Sequence, residues 1–261
     1  RIGRDIPTTE RYMRCVLDVD ENKQDYEIEY PQTDIGKLLA GGLAPKIINV
    51  TWDTTYNVTN GLDYYQMKVV TDANEKQDIY LLRTDPSKGL NLKVTISDES
   101  TSTVWYRKKL SEMVADLDSP SNPVYAMINA DFCNNIEPIN PRGPVHCDGT
   151  IWLSVFDLDP NFTHQGLSYV GVTSEGKMTI APRDNYESAK NSLTQCTGAG
   201  VILLQNSEIQ GGLVNSYRGR DPRTAIGYTP NNIVWMLAVD GRHGTLGMTY
   251  AELASIFSGL G

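Results

Sequence analysis

Two apolar runs near the C-terminus, Thr224–Tyr228 and Ile233–Val239, flank the polar turn Pro230-Asn231-Asn232 and predict a β-hairpin. Its antiparallel pairing would place Arg220 and Arg223, before the first strand, beside Asp240, Gly241, Arg242 and His243, after the second. Short segments rich in β-branched and aromatic residues recur upstream at Lys46–Thr55, Asp63–Asp72, Gln77–Arg83, Leu90–Ser97 and Thr101–Trp105, a spacing that predicts an antiparallel sheet. Further strand-like stretches follow at Thr150–Leu158, Leu167–Val172 and Gly198–Gln205, with a hairpin over Gly171–Ile180 around Glu175-Gly176. Arg107–Asp116 carries Leu110, Met113 and Val114 at helical spacing, and Asp184–Cys196 reads as helix followed by loop. In the last segment, Thr249–Phe257, Thr249 and Glu252 form a capping-box pattern, and Gly259 is expected to stop the helix. Residues 1–46 are polar and weakly periodic, with a short helix over Ile35–Ala40 ended by Gly41-Gly42. They read as an N-terminal extension packed on a main domain, 47–261. Many strands and two or three packed helices give an α+β class with a mainly antiparallel, strand-rich sheet.

Charge narrows the partners. A net charge of −9 over 261 residues leaves no basic face for a nucleic-acid backbone, while a local arginine cluster could still hold one small anion. No run of about 18 apolar residues predicts a membrane span. Cys15, Cys133, Cys147 and Cys196 contain no C-x-x-C pair, and the three histidines lack metal-ligand spacing. No cofactor is therefore expected, and nothing in the sequence indicates a divalent cation. Cys133 and Cys147 flank a loop containing Pro138, Pro141 and Pro144 and could bridge if it closes; buried thiols are the other reading. The chain begins at Arg1, as expected where a leader has been removed or the chain trimmed. Sequons at Asn49, Asn57 and Asn161 fit a secretory setting.

Six short motifs stand in order. Ala126–Phe132 (AMINADF) ends in a turn similar to "NGGFF"; Gly143 with Asp148-Gly149 resembles "G…DG"; and Gly198–Leu204 is a glycine-led strand. Arg223–Gly227 reads RTAIG, Ala238–Arg242 resembles "VVDGR", and Gly247–Ala254 resembles "GMTLxELA". Together these resemble the phosphodiester glycosidase family over about residues 48–261, with Gly61–Asp85 similar to its opening strands. Two departures stand out. Ala130-Asp131 occupies the place of a Gly-Gly pair, and the family's "NLDGGGSS" segment after the final helix has no counterpart before Gly261. Either the sequence is clipped there or that part of the rim is incomplete.

The resemblance implies hydrolysis of the glycosidic bond of a sugar 1-phosphodiester, such as N-acetylglucosamine-1-phospho-6-mannose. The products would be free sugar and a phosphomonoester. It also implies a phosphorylated glycan as partner and an extracytoplasmic location. The leaving phosphate gains charge, which favours an arginine fork; Arg223 is the first candidate, then Arg242 and Arg220. A carboxylate must activate water or attack the anomeric carbon, which selects Asp240 and then Asp131. Asn129 would hold a sugar hydroxyl, and Thr224 and Gly241 complete the substrate-binding set. Each residue has a plainer reading. Asp-Gly after a strand forms a common turn, as does Asp148-Gly149; Arg-Thr can be a solvated pair; and Asn129 can bond local backbone. Two other activities compete. Phosphodiester cleavage at the P–O bond would call for clustered metal ligands. A non-catalytic carbohydrate-binding module could have kept the fold, with Trp52, Trp105, Trp152 and Trp235 as stacking platforms or ordinary core.

Overall fold

A computed structural model describes residues 29–97, 105–134, 137–242 and 244–261. The first half contains α1 (Asp34–Leu38), a π-helical turn (Leu39–Leu43), β1 (Ile47–Thr59), β2 (Leu62–Thr71), β3 (Lys76–Thr84) and α2 (Leu110–Leu117). Next come β4 (Val145–Cys147), β5 (Thr150–Leu153), β6 (Ser168–Thr173), β7 (Met178–Pro182), α3 (Tyr186–Ala189) and β8 (Leu193–Ala199). The remainder is β9 (Leu204–Gln205), β10 (Glu208–Ile209), α4 (Leu213–Ser216), β11 (Arg223–Tyr228), β12 (Val234–Val239) and α5 (Tyr250–Leu260). Strands dominate and the helices are few, as the α+β class requires.

Two five-stranded antiparallel sheets carry the fold, in the orders β1-β2-β3-β12-β11 and β5-β4-β8-β6-β7. Alternation along β3 sends Ile79 and Leu81 to one face of the first sheet and Tyr80 and Leu82 to the other. The first face packs on Leu253, Ala254 and Ile256 of α5 and on Leu39 and Ala44 ahead of β1. On the second face, Ile226 and Val234 meet Val170 and Val172 of β6 and Met178 of β7, joining the two sheets. The layers are thus α5, first sheet, second sheet. Each fully buried aliphatic side chain in these contacts contributes about 1.5–3 kcal/mol.

The capping box opens α5 as the sequence predicts. Thr249 Oγ1 accepts from the Glu252 amide at 3.3 Å, and the Thr249 amide donates to Glu252 Oε2 at 2.8 Å. At the other end of the described chain, Asp53 of β1 is buried and accepts from the Gln32 and Thr33 amides, both at 2.7 Å, and from Thr33 Oγ1 at 2.6 Å. A buried carboxylate is tolerated because those donors replace its water. Thr33 also caps α1 through the Gly36 amide at 2.9 Å, so one carboxylate fastens residues 32–38 to the sheet.

Four expectations change, and one falls mostly outside the described residues. Leu90–Ser97 forms no strand: the Val94 amide is taken by Gln195 Oε1 at 3.0 Å, and Val94 and Ile96 pack around Trp105 and Val145 instead. Most of Thr101–Trp105 lies outside the described residues; Trp105 makes an isolated bridge to Ile139. The stretch after Leu153 leaves the sheet because Arg142 binds it, through its carbonyl to the Asp157 amide and its guanidinium to Asp157 and Asp159. The predicted loop before Cys196 is β8, which sits between β4 and β6 and so covers only part of Gly198–Gln205. Gly259 does not stop α5, which runs to Leu260; it lets the helix approach Ala44 and Leu39 closely. Cys133, Cys147 and Cys196 are thiols without a disulfide, and Cys15 lies outside the described residues.

Candidate active site

β11 and β12 pair in register from Arg223 opposite Val239 to Tyr228 opposite Val234, so residues 220–223 and 240–242 share one end of the sheet. The side chains there are largely committed to the protein. Asp240 Oδ1 accepts from the Gly241 amide at 2.7 Å and the Arg242 amide at 3.2 Å, an Asx turn that shapes the exit from β12. A Cβ on Gly241 would lie 2.6 Å from the Pro222 nitrogen, so that glycine permits close packing of the two chain crossings. Arg242 is exposed, and His243 lies outside the described residues.

Arg223 departs most from expectation. It is buried and donates from Nε to Met248 O (3.2 Å), from Nη1 to the Tyr250 hydroxyl (3.4 Å), and from Nη2 to Gly219 O (3.1 Å) and Asp221 Oδ2 (2.9 Å). Its guanidinium carbon also sits 4.4 Å from the Tyr250 ring centroid. Four of its five N–H groups are thus spent on tying the sheet edge to the loop before α5. Arg220 is more open, with bonds to Gly247 O at 3.0 Å and Glu252 Oε1 at 2.5 Å. Asp148, by contrast, is the hairpin turn residue foreseen, held by Gln195 and Lys93.

Asn129 and Thr224, distant in sequence, are brought together: Thr224 Oγ1 donates to Asn129 Oδ1 at 2.6 Å. Two residues on, Asp131 packs against Gly198 of the second sheet. Its Oδ1 accepts from the Phe132 amide at 2.5 Å, while its Oδ2 is buried without a hydrogen-bond partner. That oxygen rests against Gly198 and Gly143, and a Cβ on Gly198 would overlap it. Burial pushes the Asp131 carboxyl up to about 7, against the Phe132, Gly143 and Arg142 amides and the Arg142 charge, which favour the ionised form. Here the carboxyl can exist in either protonation state near neutral pH.

Phe132 carries the site towards the hairpin. Its ring is edge-on to His164 at 5.7 Å, His164 lies 4.8 Å from Tyr217, and Tyr217 lies 5.3 Å from Tyr250, which covers Arg223. Burial and the Arg223 charge lower the His164 pKa, keeping the ring neutral at pH 7. Arg142 flanks Gly143; it is buried and bonds Asp157 Oδ2 at 2.6 Å and Asp159 Oδ2 at 3.2 Å. His164, Arg142 and the glycine cradle were not singled out as site residues in the sequence. The Gly198-Ala199-Gly200 pattern was the available signal, since Gly200 makes room for Phe132 and the His164 carbonyl. Among the described residues no three His, Cys, Asp or Glu side chains are grouped as metal ligands.

Residues 122–261 match the family model described as phosphodiester glycosidase. The fold is similar to that of the zebrafish N-acetylglucosamine-1-phosphodiester alpha-N-acetylglucosaminidase catalytic domain, auto-inhibited by its pro-peptide. The identity is 13% and the TM-score 0.50, over 80% of this chain and 72% of that one. It is also similar to a hypothetical protein from Synechocystis, at 16% identity and a TM-score of 0.55, over 80% of this chain and 56% of that one. At such identities the likeness is one of fold. No curated protein sequence matches the chain.

Proposed function

Because the chain belongs to the phosphodiester glycosidase family, we propose that it hydrolyses the glycosidic bond of a sugar 1-phosphodiester, with Asp131 as the catalytic carboxylate. The observation that supports this is the Asp131 carboxyl itself, buried on a glycine cradle and titrating at about 7. A general base works best with its pKa near the working pH. Asp131 takes a proton from water, the water oxygen bonds to the anomeric carbon, and the C1–O bond breaks. The bridging oxygen leaves with phosphate as a phosphomonoester. Phosphate needs little help as a leaving group, so one carboxylate carries most of the proton chemistry.

Asp240, the first candidate from sequence, is better explained by its turn. Arg242 is the arginine we assign to the charged substrate, because Arg223 has most of its donors occupied and Arg220 is held by Gly247 O and Glu252. The Asn129–Thr224 pair offers polar groups for a sugar hydroxyl. N-acetylglucosamine linked through phosphate to a mannose chain is the substrate we favour, and the same reading sets the protein outside the cytoplasm, where glycans are exposed.

The test is release of free sugar from UDP-N-acetylglucosamine or a nitrophenyl-tagged sugar 1-phosphodiester. Asp131→Asn should lower the rate by about 10²–10⁴-fold. Asp240→Asn, whose amide oxygen can still accept the two turn bonds, should stay within about tenfold of the parent. Equal rates for Asp131→Asn and the parent would remove Asp131 from the mechanism. Running the reaction in ¹⁸O water locates the broken bond: label in the sugar is expected, and label in the phosphate would mean P–O cleavage.

A further inference from the structure

A cleft of about 370 Å³ opens beside the N-terminus of α5, lined in part by Lys46, Asp72, Arg218, Arg220, Thr249 and Glu252. Its lining includes neither His164 nor Asp131. Tyr217 stacks on His164 and the Gly219 carbonyl accepts from Arg223, whereas the alternate residues Arg218 and Arg220 line the cleft. Its two carboxylates each have a cation: Asp72 pairs with Lys46 at 2.6 Å, and Glu252 with Arg220 at 2.5 Å. Glu252 is further engaged by the Thr249 amide. Arg218 is exposed and makes no ion pair with a described residue. The cleft therefore carries one uncompensated positive charge in a chain whose net charge is −9.

We propose that this cleft is a binding site for a phosphate group, with Arg218 as its principal contact and Lys46 and Arg220 as flanking donors. A planar guanidinium can bond two phosphate oxygens at once. Lys46 uses one of its three ammonium hydrogens on Asp72 and keeps the others available. The space also suits more than an isolated ion, because small-molecule sites commonly occupy roughly 300–1,000 Å³. The phosphate can be free or borne on a sugar, and the chemistry of the cleft recognises both. The proposal stands apart from the hydrolytic reading, because binding here does not involve Asp131.

Calorimetric titration tests it with inorganic phosphate, a hexose 6-phosphate and the neutral hexose. The wild-type chain and Asp131→Asn should bind the two phosphates alike, and Arg218→Ala should weaken both by about tenfold or more, with Lys46→Ala weaker in effect. Arg218 is exposed, so its replacement leaves the core intact; Arg218→Glu, which reverses the charge, should abolish binding. A stronger signal for hexose 6-phosphate would identify a phosphoester as the ligand, and equal affinity would identify free phosphate. The proposal is overturned if neither phosphate binds saturably at millimolar concentration. It is equally overturned if Arg218→Ala binds as the parent does, if the neutral hexose binds as well as its phosphate, or if Asp131→Asn abolishes binding.

Discussion

Asp131 holds its proton more tightly in the folded chain than in the unfolded one, because burial penalises its carboxylate more than the surrounding amides favour it. An unfolded aspartate ionises near pH 4, whereas the folded one does so at about 7. Across that window the native state binds the extra proton. This residue's contribution to stability is fully present below about pH 4 and is lost as pH rises through 7, by at most about 1.4 kcal/mol per pH unit. Denaturant unfolding of wild type and Asp131→Asn at a series of pH values should show the gap between them changing from pH 4 to 7 in favour of the variant, then levelling. Parallel curves would mean that Asp131 is already ionised throughout. The motif around Asp131 was readable in the sequence, but the surroundings of its carboxyl and of Asp240's were not. An Asp-Gly pair after a strand looks the same whether its carboxylate faces a substrate or its own loop.

The hairpin β11–β12 was legible because two apolar, strand-prone runs flank a short polar turn. The destiny of Arg223 was not, since its four acceptors include carbonyls of Gly219 and Met248, and no side-chain pattern announces a carbonyl. Arg223→Ala should lower unfolding free energy by about 2–4 kcal/mol, because buried acceptors lose their donor and the Tyr250 face loses its cation. A solvent-facing arginine that served only a ligand would change stability by about 0.5 kcal/mol or less. Measured unfolding therefore separates the two roles without any substrate. β8 escaped notice for the opposite reason: Thr194, Gln195, Thr197 and Gly198 give it a polar texture, although the strand lies mid-sheet. In Leu90–Ser97 the apolar texture predicted a strand, but the Gln195 side chain takes the place of a strand neighbour.

For the whole molecule, the α+β class and the positions of many strands along the chain followed from sequence, while the division into two sheets did not. Strand partners such as β3 and β12 are separated by about 150 residues of chain, and local patterns carry no information on such pairings. The attachment of residues 32–38 rests on Asp53, one acidic side chain within an otherwise strand-like run. Asp53→Ala should strip three donors of their acceptor, cost about 2–4 kcal/mol, and make the chain ahead of β1 an early target for limited proteolysis. Unchanged cleavage there would show that Leu39 and Ala44 suffice to hold it.

The short path from Asn129 to Asp131 crosses from one sheet to the other, pinned to β11 by Thr224 and seated in the second sheet on Gly198. Those two anchors make the site a gauge of how the sheets are spaced. A substitution among Val170, Met178 and Val234 that slides the layers, without touching a polar atom, draws the carboxyl off its seat on Gly198. The setting of the Asp131 carboxyl is therefore vested in an aliphatic seam that holds no polar side chain of its own.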